Sequence, residues 1–180
     1  EVDIGWSEDA LKAGMTYLEH LFGASIAKTL DQHADELTDY ARTFAEKGRT
    51  SKPADFVWSL EVAGQMYNTL GPILERYNVL VCPTNALPAV RADFDQSRDE
   101  VTINGKRVNP MLGWVMTTPF NTMSRCPVIT VPSGRAGNGV PTSIQVVGKT
   151  YRDADVFRAA AAYEREAGGW FGGVETRPSM

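Results

Sequence analysis

The sequence predicts an α/β fold, with helices in the first half of the chain and buried strands in the second. Three observations lead to this prediction. Apolar residues recur at helical spacing before residue 78, short apolar runs bounded by proline follow, and a last amphipathic segment comes near the end. We therefore divide a single domain, 1–180, into a helical part 7–77, a strand-rich part 78–150 and a final helix 153–167.

The helical part contains three apolar stripes. The first helix is expected to begin after Ser7, whose hydroxyl suits an N-cap, and to end at Gly23. A second stripe over 26–44 predicts another helix. The third helix is expected to open near Pro53. Pro72 should then kink it or begin a separate last turn, because proline lacks the N–H that the helix needs.

The strand-rich part contains three apolar runs and one hairpin signal. The runs 79–82, 128–131 and 143–147 are short and apolar, which favours buried strands over helices. Residues 101–108 enclose an Asn-Gly pair, which tolerates the positive φ angles of a type I′ turn. Buried strands need neighbours on both edges, so three isolated strands predict an incomplete sheet.

Composition and charge exclude several functional classes. The chain has 180 residues, of which 43% are hydrophobic and 22% charged, with a net charge of −4. Acidic and basic residues are mixed, so neither a nucleic acid nor a membrane surface is an expected partner. No run approaches the roughly 18 apolar residues that a membrane span requires. The chain begins with Glu1 and no signal-peptide pattern, and we expect a piece of a larger protein whose glycine-rich tail after Gly168 is loosely held.

The titratable and thiol residues give little direct chemistry. His20 and His33 are expected to be packed or surface histidines, and Cys82 and Cys126 to be free buried thiols in a reducing, cytoplasmic compartment. There is no phosphate loop, nucleophile elbow or metal-ligand spacing, so neither a cofactor nor a metal is predicted. A buried amide such as Gln145 must be hydrogen-bonded, and it either holds a loop or lines a cleft.

Four segments, taken in order, resemble the amidase signature family. They are Asn-Val-Leu-Val-Cys-Pro-Thr at 78–84, Pro-Phe-Asn at 119–121, Pro-Val-Ile-Thr-Val-Pro-Ser-Gly at 127–134 and Gly-Val-Pro-Thr-Ser-Ile-Gln-Val-Val-Gly at 139–148. Each segment alone is a weak signal. Their order and separation are specific, and the resemblance covers about residues 50–165.

The resemblance implies a mixed β-sheet covered by helices and the hydrolysis of a carboxylic amide. In this family a serine attacks the carbonyl, a second serine with a cis peptide relays protons to a lysine, and backbone N–H groups stabilise the oxyanion. No matching Gly-Ser-rich run occurs in this sequence, so no catalytic residue is assigned. We expect the C-terminal segment of an amidase, inactive alone, whose catalytic part lies upstream or in a separate chain.

Two alternatives remain open at this point. The chain is also compatible with a non-catalytic binding or interaction module on the same scaffold. The other alternative is a fragment of the A component of a tRNA-dependent amidotransferase, since these proteins resemble the same family. They carry an acidic residue seven positions before the Phe-Asn asparagine, facing the glutamine ammonium. That position is Trp114 here, which favours a hydrophobic or aryl amide over glutamine.

The candidate substrate-binding residues surround the Phe-Asn pair. They are Trp114, Met116, Phe120 and Asn121, with ordinary core packing as the alternative for the apolar ones. The expected partners are a small-molecule amide and the missing N-terminal part, and homo-oligomerisation stays open. Ser143 departs from the family pattern, which usually has glycine at this position.

Overall fold

A computed structural model describes residues 1–96 and 98–168 and confirms the α/β class. The tail 169–180, expected to be loosely held, lies outside the described residues. The helices are α1 Asp9–Leu18, α2 Ala24–Ala27, α3 Leu30–His33, α4 Asp39–Thr50, α5 Pro53–Arg76, α6 Thr118–Met123 and α7 Asp153–Ala167. The strands are β1 Val79–Pro83, β2 Val101–Ile103, β3 Lys106–Val108, β4 Val128–Arg135 and β5 Pro141–Gly148.

The chain divides into two compact units. The first unit comprises residues 1–70 and 90–124, and the second comprises 71–89 and the described residues from Arg125 onward. That the chain forms one incomplete domain stays a prediction.

The first helical run does not end at Gly23, contrary to the sequence prediction. A π-helical turn, Glu19–Gly23, follows α1 and leads directly into α2, and Gly23 keeps a helical φ of −59°. The glycine serves packing instead. A Cβ atom on Gly23 would lie 3.2 Å from the Cα atom of Gly48, so the absent side chain lets the two backbones meet.

The stripe at 26–44 forms several helical pieces rather than one helix. After α3, a 3₁₀ turn spans Ala34–Glu36, and Leu37 is extended with a ψ of 140°. Thr38 is the N-cap of α4, and its Oγ1 accepts the N–H of Ala41 at 3.3 Å. The N-cap explains the break, because a side-chain oxygen satisfies a free N–H at the start of a new helix.

Helix α5 runs as one helix through Pro72, where the sequence predicted a kink or a separate last turn. A proline inside a helix leaves the carbonyl four residues earlier, here that of Asn68, without its usual donor. Both residues are exposed, so water can reach that carbonyl. The buried side of α5 contributes to the core of the first unit, together with α1 and α4, through Ala13, Phe44, Ala45, Met66 and Leu70.

The hairpin in the first unit confirms the turn prediction. Strands β2 and β3 pair antiparallel, and Asn104 and Gly105 adopt φ angles of 50° and 77°. Both values lie in the left-handed region that a type I′ turn requires. This hairpin directly precedes the segment that carries the candidate pocket residues.

The second unit is built on a three-stranded antiparallel sheet in the order β1-β5-β4. Helix α7 packs on this sheet at Gly148, where a Cβ atom would collide with the Val156 side chain. Gln145 in the central strand is fully buried, and its Nε2 donates to the carbonyl of Pro83 at 2.9 Å. The amide therefore links β5 to β1, which is the structural alternative that the sequence left open.

Candidate functional site

An asparagine turn orders the segment that leads to the candidate pocket residues. The Oδ1 atom of Asn109 accepts the N–H groups of Met111 at 2.9 Å and Leu112 at 3.0 Å. The N–H of Gly113 donates to the carbonyl of Asn109 at 2.9 Å. These bonds close a compact turn directly before Trp114, so its backbone position is fixed locally.

Trp114 uses its only hydrogen-bond donor within the protein. Its Nε1 atom donates to the carbonyl of Pro110 at 3.0 Å, and the side chain is half-buried. An indole has no acceptor and no second donor. What the ring can offer a ligand is therefore its face, which provides apolar carbon surface and, to a cation, a π contact.

Phe120 lies in the core of the first unit. Its side chain is 5% exposed and meets the ring of Trp6 edge to face, with the ring centroids 5.5 Å apart. Trp6 is itself fixed to α5, because its Nε1 lies 3.1 Å from the Met66 carbonyl and 2.9 Å from the Thr69 hydroxyl. The pair anchors α6, which the sequence analysis did not predict as a helix.

Met116 and Asn121 are more accessible than Phe120. Met116 is 36% exposed, and the Asn121 side chain is exposed while its N–H donates to the Thr117 carbonyl. Helix α6 also packs on α1 at Gly14, where a Cβ atom would lie only 2.7 Å from the Thr122 Oγ1. Helix α6 is thus closely packed on α1, and the substrate-binding role of the four candidates stays a prediction.

A cleft of about 350 Å³ in the second unit was missed by sequence reasoning. It lies where β1 and β4 end and β5 begins. Four hydroxyl side chains line it: the Thr84 Oγ1 is 2.7 Å from the Ser143 Oγ, and the Ser133 Oγ is 3.1 Å from the Thr142 Oγ1. The remaining lining residues are Pro83, Asn85, Ala86, Leu87, Pro88, Ala136, Pro141 and Ile144.

A larger groove of about 620 Å³ lies in the first unit beside α1 and the β2–β3 hairpin. Charged side chains of both signs line it, and Lys47 pairs with Glu19 at 2.7 Å. Lys12 also lies over the Trp58 ring, 5.0 Å from its centroid. Because charges of both signs line the groove and are largely open to solvent, the groove behaves as an ordinary hydrated face.

The histidines are a packed and a surface residue, as the sequence predicts. The His20 ring stacks on Phe56 with centroids 4.5 Å apart, and its Nδ1 lies 2.8 Å from the Ser51 hydroxyl. His33 is exposed and contacts Glu36 at 3.1 Å. Among the described residues, no group of three His, Cys, Asp or Glu side chains is placed to hold a metal ion.

The two cysteines are free thiols, and both are half-buried. Burial raises the pKa of Cys126, and it raises the pKa of Cys82 more than a hydrogen bond with Gln145 lowers it. The thiolate is the nucleophilic form of cysteine. Neither residue is therefore suited to covalent catalysis near neutral pH.

The comparisons with known proteins agree with this architecture. The family model described as Amidase matches residues 5–157. An acylamidase of Rhodococcus erythropolis is 33% identical over 101 residues, which is 56% of this chain and 20% of the relative. The A component of the glutamyl-tRNA(Gln) amidotransferase of Exiguobacterium sibiricum is 33% identical over 98 residues, 54% of this chain and 18% of that protein.

Solved structures share the fold over most of the chain. A bacterial aryl acylamidase of the amidase signature family aligns with a TM-score of 0.78 and 24% identity, covering 94% of this chain and 36% of that one. A second amidase aligns with a TM-score of 0.77 and 19% identity, covering 88% of this chain and 36% of that one. The chain thus spans about a fifth of the curated relatives and about a third of the solved structures that it matches.

Proposed function

This chain belongs to the amidase signature family, and from that premise we propose that it is the C-terminal segment of a hydrolase of hydrophobic or aryl amides. The observation that carries the substrate class is the bond from the Trp114 indole to Pro110. It leaves the indole with only an apolar face to offer an acyl group. The likeness to an acylamidase is consistent with this substrate class.

The catalytic residues lie, on this proposal, upstream of Glu1. The family places its two serines and its lysine before the matched region, and this chain spans about a fifth of its curated relatives. A serine nucleophile, a lysine base and backbone N–H donors would then act on an amide held partly by this segment. Trp114, Met116 and Asn121 are its accessible candidate contacts, with Phe120 anchoring α6 behind them.

The setting of the protein follows from the same reasoning. Free cysteines fit a reducing cytoplasmic compartment, and no helix among the described residues is long and apolar enough to cross a membrane. We propose a small-molecule amide as substrate and the upstream part of the protein as the polypeptide partner. Homo-oligomerisation remains compatible with both.

The A component of a tRNA-dependent amidotransferase is the second candidate function. Its support is the identity of about a third to such proteins over roughly half of the chain. Glutamine carries an ammonium group, and an ammonium held away from water needs an anionic partner. Trp114 supplies no negative charge, and a cation–π contact with its ring is weaker than an ion pair with a carboxylate, which makes glutamine the weaker substrate candidate. A purely non-catalytic module is the remaining alternative. Measured turnover of an amide by the native protein would exclude it.

The proposal is tested on the native protein, isolated with every polypeptide that accompanies or extends this chain. Intact masses are measured first, before denaturation, and hydrolysis of an anilide such as 4-nitroacetanilide is then compared with hydrolysis of glutamine. We expect a larger mass than 19.7 kDa and turnover of the anilide in preference to glutamine. Preferred glutamine turnover would favour the amidotransferase, and no turnover of either would favour the non-catalytic module.

A control separates this segment from the catalytic part. Residues 1–180 produced alone are expected to hydrolyse no amide. Anilide turnover by that piece, at constant specific activity through a second purification, would contradict the assignment of catalysis to upstream residues.

A further inference from the structure

A single peptide group connects the Asn109 side chain to the Trp114 indole. It joins Pro110 to Met111 and is trans, so its N–H and its carbonyl point in opposite directions. On one side the N–H donates to the Asn109 Oδ1 at 2.9 Å. On the other side the carbonyl accepts from the Trp114 Nε1 at 3.0 Å. The orientation of this one peptide plane is therefore common to both hydrogen bonds.

The turn around this peptide group is closed tightly. The Asn109 Oδ1 also accepts the N–H of Leu112 at 3.0 Å, and the Gly113 N–H donates to the Asn109 carbonyl at 2.9 Å. A Cβ atom on Gly113 would lie 2.6 Å from the Asn109 nitrogen and 2.7 Å from its carbonyl oxygen, so only glycine fits this approach. Loss of the Asn109 side chain removes two of these three bonds and frees the Pro110–Met111 plane to rotate.

The acceptor of Asn109 acts on the turn and not on a ligand. The side-chain oxygen of an asparagine has two lone pairs. Here both are used, because Met111 and Leu112 each donate an N–H to it. Although Asn109 lies at the surface, its Oδ1 has no capacity left for a substrate.

We propose that Asn109 is a positioning residue, which sets the direction of the Trp114 indole and through it the fit of the acyl group. The proposal rests on the proposed function for the identity of the ligand. Atoms gain dispersion energy only near their optimal separation of roughly 3.5–4 Å, so an indole that turns away from its set direction loses part of its contact with an acyl group.

This determinant belongs to the segment between the hairpin and α6. Asn109 and Trp114 both lie outside the four segments that resemble the family. A purely structural Asn109 would affect stability without affecting the KM. The two roles are therefore separated by measuring the indole and the kinetics as well as the unfolding of each variant.

The indole N–H reports the relay directly. The native protein is labelled with tryptophan that carries ¹⁵N in the indole ring, and the Trp114 signal is identified as the one lost in Trp114→Phe. We expect Asn109→Ala to shift or broaden this signal, because the Pro110 carbonyl no longer keeps one direction. The indole N–H of Trp6 is bonded to α5, so its signal should stay in place and shows that the variant is folded.

Kinetics show whether the relay acts on substrate binding. In the native protein, Asn109→Ala should raise the KM for an anilide about two- to threefold at unchanged kcat. Trp114→Phe breaks the same relay at its donor end, so the double variant should match either single variant instead of multiplying their effects. Asn109→Asp keeps an oxygen acceptor and should restore both the signal and the KM. Asn68→Ala removes an exposed asparagine of α5 and should change neither.

Four outcomes overturn the proposal: an unchanged Trp114 signal in Asn109→Ala, a changed signal with an unchanged KM, a lower kcat in place of a higher KM, or effects that multiply in the double variant. Absence of anilide turnover in the wild type is a different result. It would overturn the proposed function, and with it the effect on acyl binding, whereas the indole signal would still decide whether Asn109 directs Trp114.

Discussion

Gly23 and Gly48 meet backbone to backbone where the first helical run crosses α4. A Cβ atom on Gly23 would lie 3.2 Å from the Gly48 Cα, and a Cβ atom on Gly48 would collide with the Gly23 backbone. Phe44 packs one turn before Gly48 and is almost fully buried. The crossing therefore requires glycine at both positions. Neither backbone can move apart without displacing the core of the first unit.

Replacing Gly48 by alanine tests this crossing. The added methyl group meets backbone rather than a flexible side chain, so the helices must separate. We expect the free energy of unfolding to fall by about 1–3 kcal/mol, the usual range for an overpacked core. Denaturant titration followed by circular dichroism measures it.

Gly64→Ala is the matched control. Gly64 lies inside α5, and a Cβ atom there meets nothing within 4 Å. Alanine should stabilise the helix by about 0.5–1 kcal/mol, because it loses less conformational freedom on folding than glycine. Equal destabilisation by both substitutions would show that the Gly23–Gly48 contact is not the cause.

Trp114→Ala tests the proposed apolar wall of the substrate site. Removing the indole takes away apolar surface that an aryl or aliphatic acyl group would cover, so the KM for an anilide should rise about tenfold or more in the native protein. Trp114→Phe retains most of that surface and loses only the bond to Pro110, so its KM should change by less than about threefold.

Trp58→Ala serves as the control for Trp114. Trp58 contacts Lys12 beside the charged groove, and we expect its loss to leave the KM unchanged. A kcat that falls while the KM holds in Trp114→Ala would argue for a role in the chemical step instead of in acyl binding.

Gln145→Leu tests the amide that links the two strands. The substitution keeps a similar volume but removes the donor to the Pro83 carbonyl, which then lies at the sheet without its partner. Unfolding free energy should fall by about 1–3 kcal/mol. Thr130→Val, at the exposed position opposite Gln145 on β4, should change it by less than about 0.5 kcal/mol.

The thiols of Cys82 and Cys126 should react slowly in the folded protein. Burial raises the pKa of both, so less thiolate is present at pH 8 than in the unfolded chain, and iodoacetamide labelling followed by mass spectrometry should be slower in the native state. The raised folded pKa has a stability consequence of definite sign. The contribution of each thiol to the free energy of unfolding is complete below the ordinary thiol pKa of about 8.5. It is lost as the pH rises through the higher pKa of the folded state. Labelling at equal rates in both states would contradict the burial argument.

Local chemistry explains which parts of the fold were predictable. The Asn104-Gly105 turn was correctly placed because its positive φ angles are encoded within two adjacent residues. The role of Gly23 was not predicted correctly, because glycine is needed there for a close contact with Gly48, 25 positions away in the chain. A glycine in a helical pattern marks the end of the helix only when close packing against another backbone does not account for the glycine.

The candidate sites divide along the same line. The partner of the Trp114 indole is Pro110, four residues earlier, and the sequence drew attention to that segment through the family pattern. The hydroxyl-lined cleft of the second unit could not be predicted from the sequence, because Thr84 and Ser143 are 59 residues apart and only the β1–β5 register brings them together. The departure at Ser143 was the one signal in the sequence that pointed to it.

Proline placement in the sheet limits how far a further strand can pair with either of its edges. Among the described residues, β1 and β4 pair on one side only, and each outer strand carries a proline, Pro83 and Pro132. A proline cannot donate to an incoming chain. A further strand added to either edge could therefore pair with only 79–82 or 128–131 before it meets a residue without an N–H. Each edge thus allows an added strand a ladder of about four residues.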